Sequence, residues 1–214
     1  MIGNDLCFLQ QHRSDERLER YLHKITTKNE RTVLKPFDIR LQVPFAWSVK
    51  EASYKYYRRY KSISAHPKNF LVKDLKFHKG EACTSDRYLG AQGFSNIEHI
   101  ESIVETLFGG LICKTIITKD FIHSVLCGEK ELLEKTYWGV AKINATSYAS
   151  QRNAVRKNAI DHLAKVYGKQ SYFQFKKNSN NAPILFIDDV ESQNDFSFSH
   201  DQNYVGYAWS SPSS

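Results

Sequence analysis

Hydrophobic and polar positions follow strand and helix periodicity in turn along the chain, and their order predicts two α+β groups. The predicted strands are residues 4–9, 70–77, 111–118, 121–126, 137–143, 171–175, 183–187, 196–199 and 204–209. The predicted helices are residues 14–22, a second one starting at 26–30, and residues 44–60, 96–108 and 147–167. This order predicts an α+β fold of two similar halves, each a small antiparallel sheet on a long helix.

Local signals set the expected helix ends. Ser14 is a candidate N-cap, and a Thr cap followed three residues later by Glu30 is typical of a capping box. Pro44 suits the first turn of the third helix, and Gly168 suits the end of the last one. Within the third helix, a small and apolar face is expected to be buried: Ala46, Val49, Ala52 and Ser53.

Glycine-rich and polar stretches suggest where the chain divides. Residues 78–96 carry Gly80, Gly90 and Gly93 among polar residues and are predicted to be a loop. We expect a first half at residues 1–110, a second half at 111–209, and a flexible tail at 210–214.

Composition excludes several classes of protein. The chain has 214 residues, of which 41% are hydrophobic and 13% aromatic, so it can build a core and is not a disordered protein. Its apolar runs are too short to span a bilayer, so no membrane partner is expected. The N-terminal residues do not form a signal-peptide pattern, so we expect a cytoplasmic location. The four cysteines lack zinc-ligand spacing. A net charge of +7 favours polyanionic partners.

The third helix carries the first candidate functional residues. Glu51 and Lys55 are four positions apart and share one helix face, which is also the spacing of a simple surface ion pair. Asp5 lies in a strand among apolar residues, where a carboxylate needs a cation or hydrogen-bond donors. It either caps a turn or pairs with a lysine, or it holds one Mg²⁺ together with Glu51.

A third segment, near the C-terminus, places hydroxyl groups beside an imidazole. Ser197, Ser199 and His200 are either structural or donors to a phosphate. A hydrolase triad is excluded, because Ser199, His200 and Asp201 are consecutive and cannot form the relay. The chain has no glycine-rich phosphate loop, so bound phosphates would need basic side chains and Mg²⁺.

Taken in order, these segments resemble the 4′-phosphopantetheinyl transferase superfamily. Gly3–Asp5 is similar to its Gly-x-Asp signature, and His23–Glu30 to the Thr-x-x-Glu stretch that follows. Residues Trp47–Lys55 resemble its Trp-x-x-Lys-Glu-Ala-x-x-Lys motif, and Ala182–Pro183 with Ser199–His200 resemble its Pro and Ser-His elements. The resemblance covers about residues 1–77 and 145–209.

The resemblance implies an activity of the holo-acyl-carrier-protein synthase type. Such enzymes transfer 4′-phosphopantetheine from coenzyme A to a serine of an acidic acyl- or peptidyl-carrier protein and release 3′,5′-ADP. It implies Asp5 and Glu51 as Mg²⁺ ligands, and Asp5, Glu51 and Lys55 as catalytic residues. The residues implied to contact coenzyme A are Ser199, His200, Lys50, Arg152 and Arg156.

The sequence departs from the family pattern in two places. Cys7 and Phe8 occupy places where many relatives carry a second acid, and Asn181-Ala-Pro replaces Gly-Lys-Pro. The second half resembles the first half of the longer, surfactin-synthetase-type transferases, and the first half resembles their second. We therefore expect a monomeric pseudo-dimer in swapped order, with one active site between its halves.

Two other functions are also compatible with the sequence. Residues 54–61 interleave aromatic and cationic side chains, as nucleic-acid-binding surfaces do, although no nucleic-acid motif accompanies them and nucleic acid is not the expected partner. The Cys7 and Phe8 departures also allow a non-catalytic relative that only binds carrier proteins.

Overall fold

The computed structural model shows a mixed α+β chain built on two β-sheets. It describes residues 1–9, 14–59, 61, 63, 66–78, 88–89, 98–144, 147–168 and 170–211. The predicted loop over residues 78–96 lies almost wholly outside the described residues, as does the end of the tail at 212–214.

Eleven described strands make up the two sheets. The strands are β1 (Gly3–Phe8), β2 (Phe70–His78), β3 (Tyr88–Leu89), β4 (Glu98–Thr106), β5 (Gly109–Ile117), β6 (Phe121–Cys127), β7 (Tyr137–Lys142), β8 (Phe173–Lys177), β9 (Pro183–Ile187), β10 (Val190–Asp201) and β11 (Tyr204–Ser210). The first sheet has the order β1-β6-β5-β4-β2 and is antiparallel throughout. The second has the order β3-β7-β11-β10-β9-β8, in which five strands are antiparallel and the two-residue β3 pairs parallel to β7.

Each sheet packs against one long helix. The described helices are α1 (Asp15–Ile25), α2 (Lys28–Val33), α3 (Ile39–Arg58), α4 (Lys130–Glu134) and α5 (Tyr148–Tyr167), with a 3₁₀ turn at Pro67–Asn69. Ala46, Val49 and Ala52 of α3 are fully buried in the core that α3 forms with the first sheet. Val155, Ala159 and Leu163 of α5 are buried against the second sheet. The predicted fold of two similar α+β halves is confirmed.

The predicted helix ends are largely confirmed. Ser14 precedes α1, and Thr27 forms a capping box with Glu30, in which its hydroxyl accepts from the Glu30 amide and its own amide donates to the Glu30 carboxylate. Gly168 ends α5 with φ of 96°, a conformation that glycine adopts without strain.

The predicted helix over residues 96–108 was wrong, because its described part is strand β4 and the turn that follows it. Ile100, Ile103, Val104 and Leu107 fit a helical period, but Ile103 is 43% exposed and Leu107 is 82% exposed. The side chains that are buried alternate instead: Ile100, Ser102 and Val104. Pairing with β5 on one edge and β2 on the other favours the strand over the helix.

Helix α3 also begins earlier than expected. Asp38 accepts a hydrogen bond from the Arg40 amide at 2.8 Å and caps the helix six residues before Pro44, so that proline lies inside it. Ser210 closes β11 instead of starting a tail.

The division of the chain near residue 110 stays a prediction. The first sheet itself uses strands up to Cys127. Within the part of the chain that the structure describes, no helix is long and apolar enough to cross a membrane.

Candidate functional site

The site begins where strand β1 lies directly against helix α3. Gly3 makes this approach possible, because a Cβ atom at that position would stand 2.1 Å from the carbonyl oxygen of Ala52. Ser48 of α3 adds a hydrogen bond of 3.1 Å to the Asp5 carbonyl. These contacts fix the position of Asp5 beside the helix.

Asp5 is a buried carboxylate paired with a lysine. Its side chain is almost fully buried, and the Lys55 ammonium donates to its Oδ1 at 2.6 Å. Burial raises the pKa of Asp5 to about 6 despite the opposing charge of Lys55, and the nearby carboxylates of Glu51 and Asp201 add to the rise. A buried group held in its less favourable charge state is typical of a functional site.

Replacing Asp5 with asparagine should stabilise the fold at neutral pH. The pKa of Asp5 rises from 3.8 to about 6 on folding, so the ionised carboxylate costs up to about 3 kcal/mol above pH 6, and the cost disappears as the pH falls to about 4. We therefore expect D5N to exceed the wild type in free energy of unfolding at pH 8 and to match it at pH 4. Chemical denaturation at both pH values measures this difference, and an equal gain at both would contradict it.

Glu51 lies one helical turn before Lys55, next to Asp5. It is half-buried and makes no ion pair within the described ranges. No group of three histidine, cysteine or acidic side chains gathers at metal-binding distance among the described residues. The donors at this point are therefore two carboxylates, a set that suits Mg²⁺ because this ion takes its other ligands from phosphate and water.

Strand β10 joins the N-terminal signature to the Ser-His segment through hydrogen bonds. The backbone amide of Asn4 donates to Ser197 Oγ at 3.0 Å. The Ser199 hydroxyl donates to the side-chain oxygen of Asn4, Oδ1, at 2.5 Å. Ser199 is 2% exposed and faces this internal network, and its expected contact with a nucleotide stays a prediction. Ser197, by contrast, lines an open cleft.

This cleft, which we call the basic cleft, lies between the two halves of the chain and has a volume of about 500 Å³. Side chains from α3, α5, β10 and the turn before β9 line it. Its cationic groups are Lys55, Arg58, Arg59, Arg152, Arg156, Lys177 and, when protonated, His200. The structure therefore brings Lys55 to the same cleft as His200 and both arginines of α5.

The electrostatics of the basic cleft favour an anion. Arg156 has a buried Nε with no hydrogen-bond partner among the described residues, and burial and the charge of Arg152 lower its pKa. Burial and Lys55 likewise lower the pKa of His200, whose ring lies edge-on to Tyr148 at 5.2 Å. Phosphate oxygens would relieve this crowding of positive charge.

Lys50 does not line the basic cleft, and its expected contact with coenzyme A stays a prediction. It is 2% exposed, and its ammonium pairs with the buried Glu30 and donates to the carbonyls of Pro67 and Phe70. Its helical position turns it toward α2 and β2, away from Lys55. Its role is to satisfy a buried carboxylate.

Three cleft or site residues were not assigned to the site from sequence. Arg59 binds Asp195 at 3.2 Å and the Phe196 carbonyl, which ties the end of α3 to the second sheet. Lys177 ends β8, and Asp201 ends β10, where it accepts from the Phe8 amide at 2.8 Å. A sequence signal existed for Asp201, which follows the Ser-His pair, and for Arg59, which lies in the aromatic and cationic run at residues 54–61.

The aromatic and cationic run at residues 54–61 gives no support to a nucleic-acid interface. Tyr56 and Tyr57 are buried, so their rings cannot stack on bases. Tyr57 instead bonds Thr106 and packs on Phe70.

Comparison with known proteins agrees with this geometry. The model of the 4′-phosphopantetheinyl transferase superfamily matches residues 1–114, which include the Gly-x-Asp strand and the whole of α3. No curated protein matches the chain. Because the matched segment is more than half of the chain, the protein belongs to the 4′-phosphopantetheinyl transferase superfamily.

Proposed function

We propose that the protein is a Mg²⁺-dependent enzyme of the holo-acyl-carrier-protein synthase type, which transfers 4′-phosphopantetheine from coenzyme A to a carrier-protein serine. The superfamily uses coenzyme A and typically a divalent metal, and it acts on carrier proteins. The observation that carries the proposal is the Asp5–Glu51–Lys55 group at the edge of the basic cleft.

Asp5 and Glu51 are the residues that would hold Mg²⁺. A bound Mg²⁺ supplies charge neutralisation to the pyrophosphate of coenzyme A. Lys55, which pairs with Asp5 and lines the basic cleft, would stabilise the charge that develops on the leaving group.

The transfer needs one nucleophile and one proton acceptor. The serine oxygen of the carrier bonds to the phosphorus that bears pantetheine, and the bond from that phosphorus to the bridging oxygen breaks, releasing 3′,5′-ADP. We assign the serine proton to Glu51, whose carboxylate has no ion-pair partner among the described residues. Arg152, Arg156 and His200 hold the nucleotide phosphates in the basic cleft.

The carrier protein is proposed to be acidic. The net charge of +7 favours fast association with an acidic partner. Both sides of the basic cleft come from one chain, which supports a monomeric enzyme, and a trimer in solution would argue against that part of the proposal. A cytoplasmic location remains part of the proposal.

Calorimetric titration tests the ligand. We expect coenzyme A to bind more tightly with Mg²⁺ than with a chelator, and dephospho-coenzyme A, which lacks the 3′-phosphate, to bind more weakly. Equal affinities for the two nucleotides would contradict the assignment of the basic cleft. A lack of any binding would contradict the proposed function.

Lys177 should add to coenzyme A binding, whereas its neighbour Lys176 should not. Lys177 lines the basic cleft, while the Lys176 ammonium lies over the Phe186 ring, 4.0 Å from its centroid. Because Lys177 would make a charge-assisted contact with coenzyme A in an open cleft, we expect K177Q to raise the Kd of coenzyme A roughly three- to tenfold. The matched variant K176Q should bind like the wild type in the same titration, and equal effects of both would mean that only total charge matters.

A further inference from the structure

A buried polar cluster lies between strand β1 and the second sheet. The Ser199 hydroxyl donates to the side-chain oxygen of Asn4, Oδ1, at 2.5 Å, and Nε2 of the His123 ring lies 3.2 Å from the same oxygen. All three side chains are buried. We call this group the Asn4 cluster. Its members come from β1, β6 and β10, so it joins the first sheet to the second.

The protonation of the His123 ring follows from its surroundings. Burial, with a smaller contribution from the charge of Lys55, lowers the pKa of His123 to about 3, so the ring is neutral near pH 7. A neutral imidazole has one N–H, and the Asn4 oxygen can only accept, so the proton lies on Nε2. His123 therefore donates to Asn4, and the Asn4 oxygen receives a hydrogen bond from each half of the chain.

Stability alone does not explain the Asn4 cluster. Asn4 Nδ2 and His123 Nδ1 are buried with no hydrogen-bond partner among the described residues, which costs free energy that apolar side chains would not cost. The side chains that pack together between the same two sheets are otherwise apolar or aromatic: Leu6, Phe121, Val140 and Tyr204. A buried polar group in such an interface selects one packing arrangement, because only that arrangement pairs it.

Strand periodicity connects the Asn4 cluster to the proposed active site. Successive residues of a strand point to opposite faces, so Asn4 points to the second sheet while Asp5 points to α3, where it pairs with Lys55. On β10, Ser199 points to Asn4, and the next residue, His200, lines the basic cleft. The Asn4 cluster therefore lies one residue from Asp5 on one strand and one residue from His200 on the other.

We propose that Asn4 and His123 are positioning residues, which fix how β1 lies against β10 and therefore how the proposed metal ligands face the phosphate-binding side chains of the second half. This inference rests on the proposed function. If the two strands shift, a nucleotide still meets the arginines and the histidine of the second half. The metal ligands and Lys55, however, move relative to the pyrophosphate. A misplacement of about 1 Å can lower a rate about a hundredfold.

Two variants of His123 that differ in one donor test this role. Glutamine can reach Asn4 with an N–H, whereas leucine has a similar size and no donor. H123L should lower the single-turnover rate of carrier modification by roughly a hundredfold, and H123Q should stay within about threefold of the wild type. The Kd of 3′,5′-ADP, measured by calorimetry, should stay within about threefold of the wild-type value for both variants, because the nucleotide contacts the second half.

A purely structural role for His123 would give different results. Equal rate losses for H123L and H123Q would overturn the inference, and so would a wild-type rate for H123L. It would also be overturned if H123L weakened 3′,5′-ADP binding as much as it slowed transfer, since the whole cleft would then be disturbed. If the wild-type protein modifies no carrier, the proposed function fails and takes this inference with it.

Thermal unfolding tests the Asn4 cluster without reference to activity. N4L and H123L each remove one partner of the same hydrogen bond, so the double variant should lower the Tm no more than the more harmful single variant does. Additive losses of Tm would mean that the two side chains do not act together. That outcome would overturn the inference and leave the proposed function standing.

G206A takes the place of H123L in the kinetic test if H123L does not fold. A Cβ atom at Gly206 would lie 2.9 Å from Ser199 Oγ and 3.1 Å from His123 Nε2, so it displaces the Asn4 cluster without removing any of its groups. We expect G206A to slow the transfer and to leave the Kd of 3′,5′-ADP unchanged. A wild-type rate for a folded G206A protein would overturn the inference.

Discussion

Replacing Glu51 with glutamine should lower the rate of carrier modification by roughly a thousandfold. This is the upper end of the rate loss seen when an enzyme loses one preorganised group that stabilises the transition state. Glutamine keeps the size of the side chain but can neither carry the negative charge that Mg²⁺ requires nor accept the serine proton. The free energy of unfolding should change little, because Glu51 is half-buried and makes no ion pair with the described residues.

The matched control for this variant is E131Q. Glu131 is an exposed helical glutamate of α4, so its replacement should leave the rate at the wild-type value. Single-turnover kinetics with saturating coenzyme A measure both variants. A rate for E51Q within a few-fold of the wild type would contradict the roles proposed for Glu51.

Replacing Gly3 with alanine should destabilise the fold by about 3 kcal/mol, because the new Cβ meets backbone instead of a side chain that can move. The nearest atom, the carbonyl oxygen of Ala52, would be 2.1 Å away. Strand β1 must then move off α3 and take Asp5 with it. For a chain of this length the loss should lower the Tm by roughly 6–12 °C.

Gly110 is the matched control, since it lies in the same sheet and a Cβ there would meet no atom within 4 Å. G110A should therefore melt within a degree or two of the wild type, about the change expected of a surface substitution. Thermal unfolding followed by circular dichroism compares the two. Equal Tm values for G3A and the wild type would mean that β1 does not depend on this close approach.

Sequence reasoning worked best where one face of an element is buried. The small face of α3 at Ala46, Val49 and Ala52 is fully buried, as its spacing predicts. It failed at β4 and the turn after it, where Ile103 and Leu107 supplied a helical period although both are exposed. In that segment the pairing with neighbouring strands, which a single stretch of sequence does not reveal, decides the structure.

The site shows the same division between local and long-range information. The pairing of Lys55 with Asp5 joins residues 50 positions apart, and the resemblance to the family's motifs was enough to propose that both act together. The sequence did not predict which motif side chains point into the cleft and which point into the interior. Lys50 and Ser199 belong to the recognised motifs, yet Lys50 binds Glu30 and Ser199 binds Asn4 in the interior. Lys177 enters the cleft only through the pairing of β8 with β9.

The intact mass of apo carrier proteins, incubated with the enzyme, coenzyme A and Mg²⁺, tests the central claim most directly. We predict that an acidic acyl- or peptidyl-carrier protein gains the mass of one 4′-phosphopantetheinyl group, and that its serine-to-alanine variant gains none. Adding excess chelator should abolish the gain. No mass gain on any member of a panel of fatty-acid and peptide carriers would contradict the proposed transferase activity and favour a relative that binds carriers without modifying them.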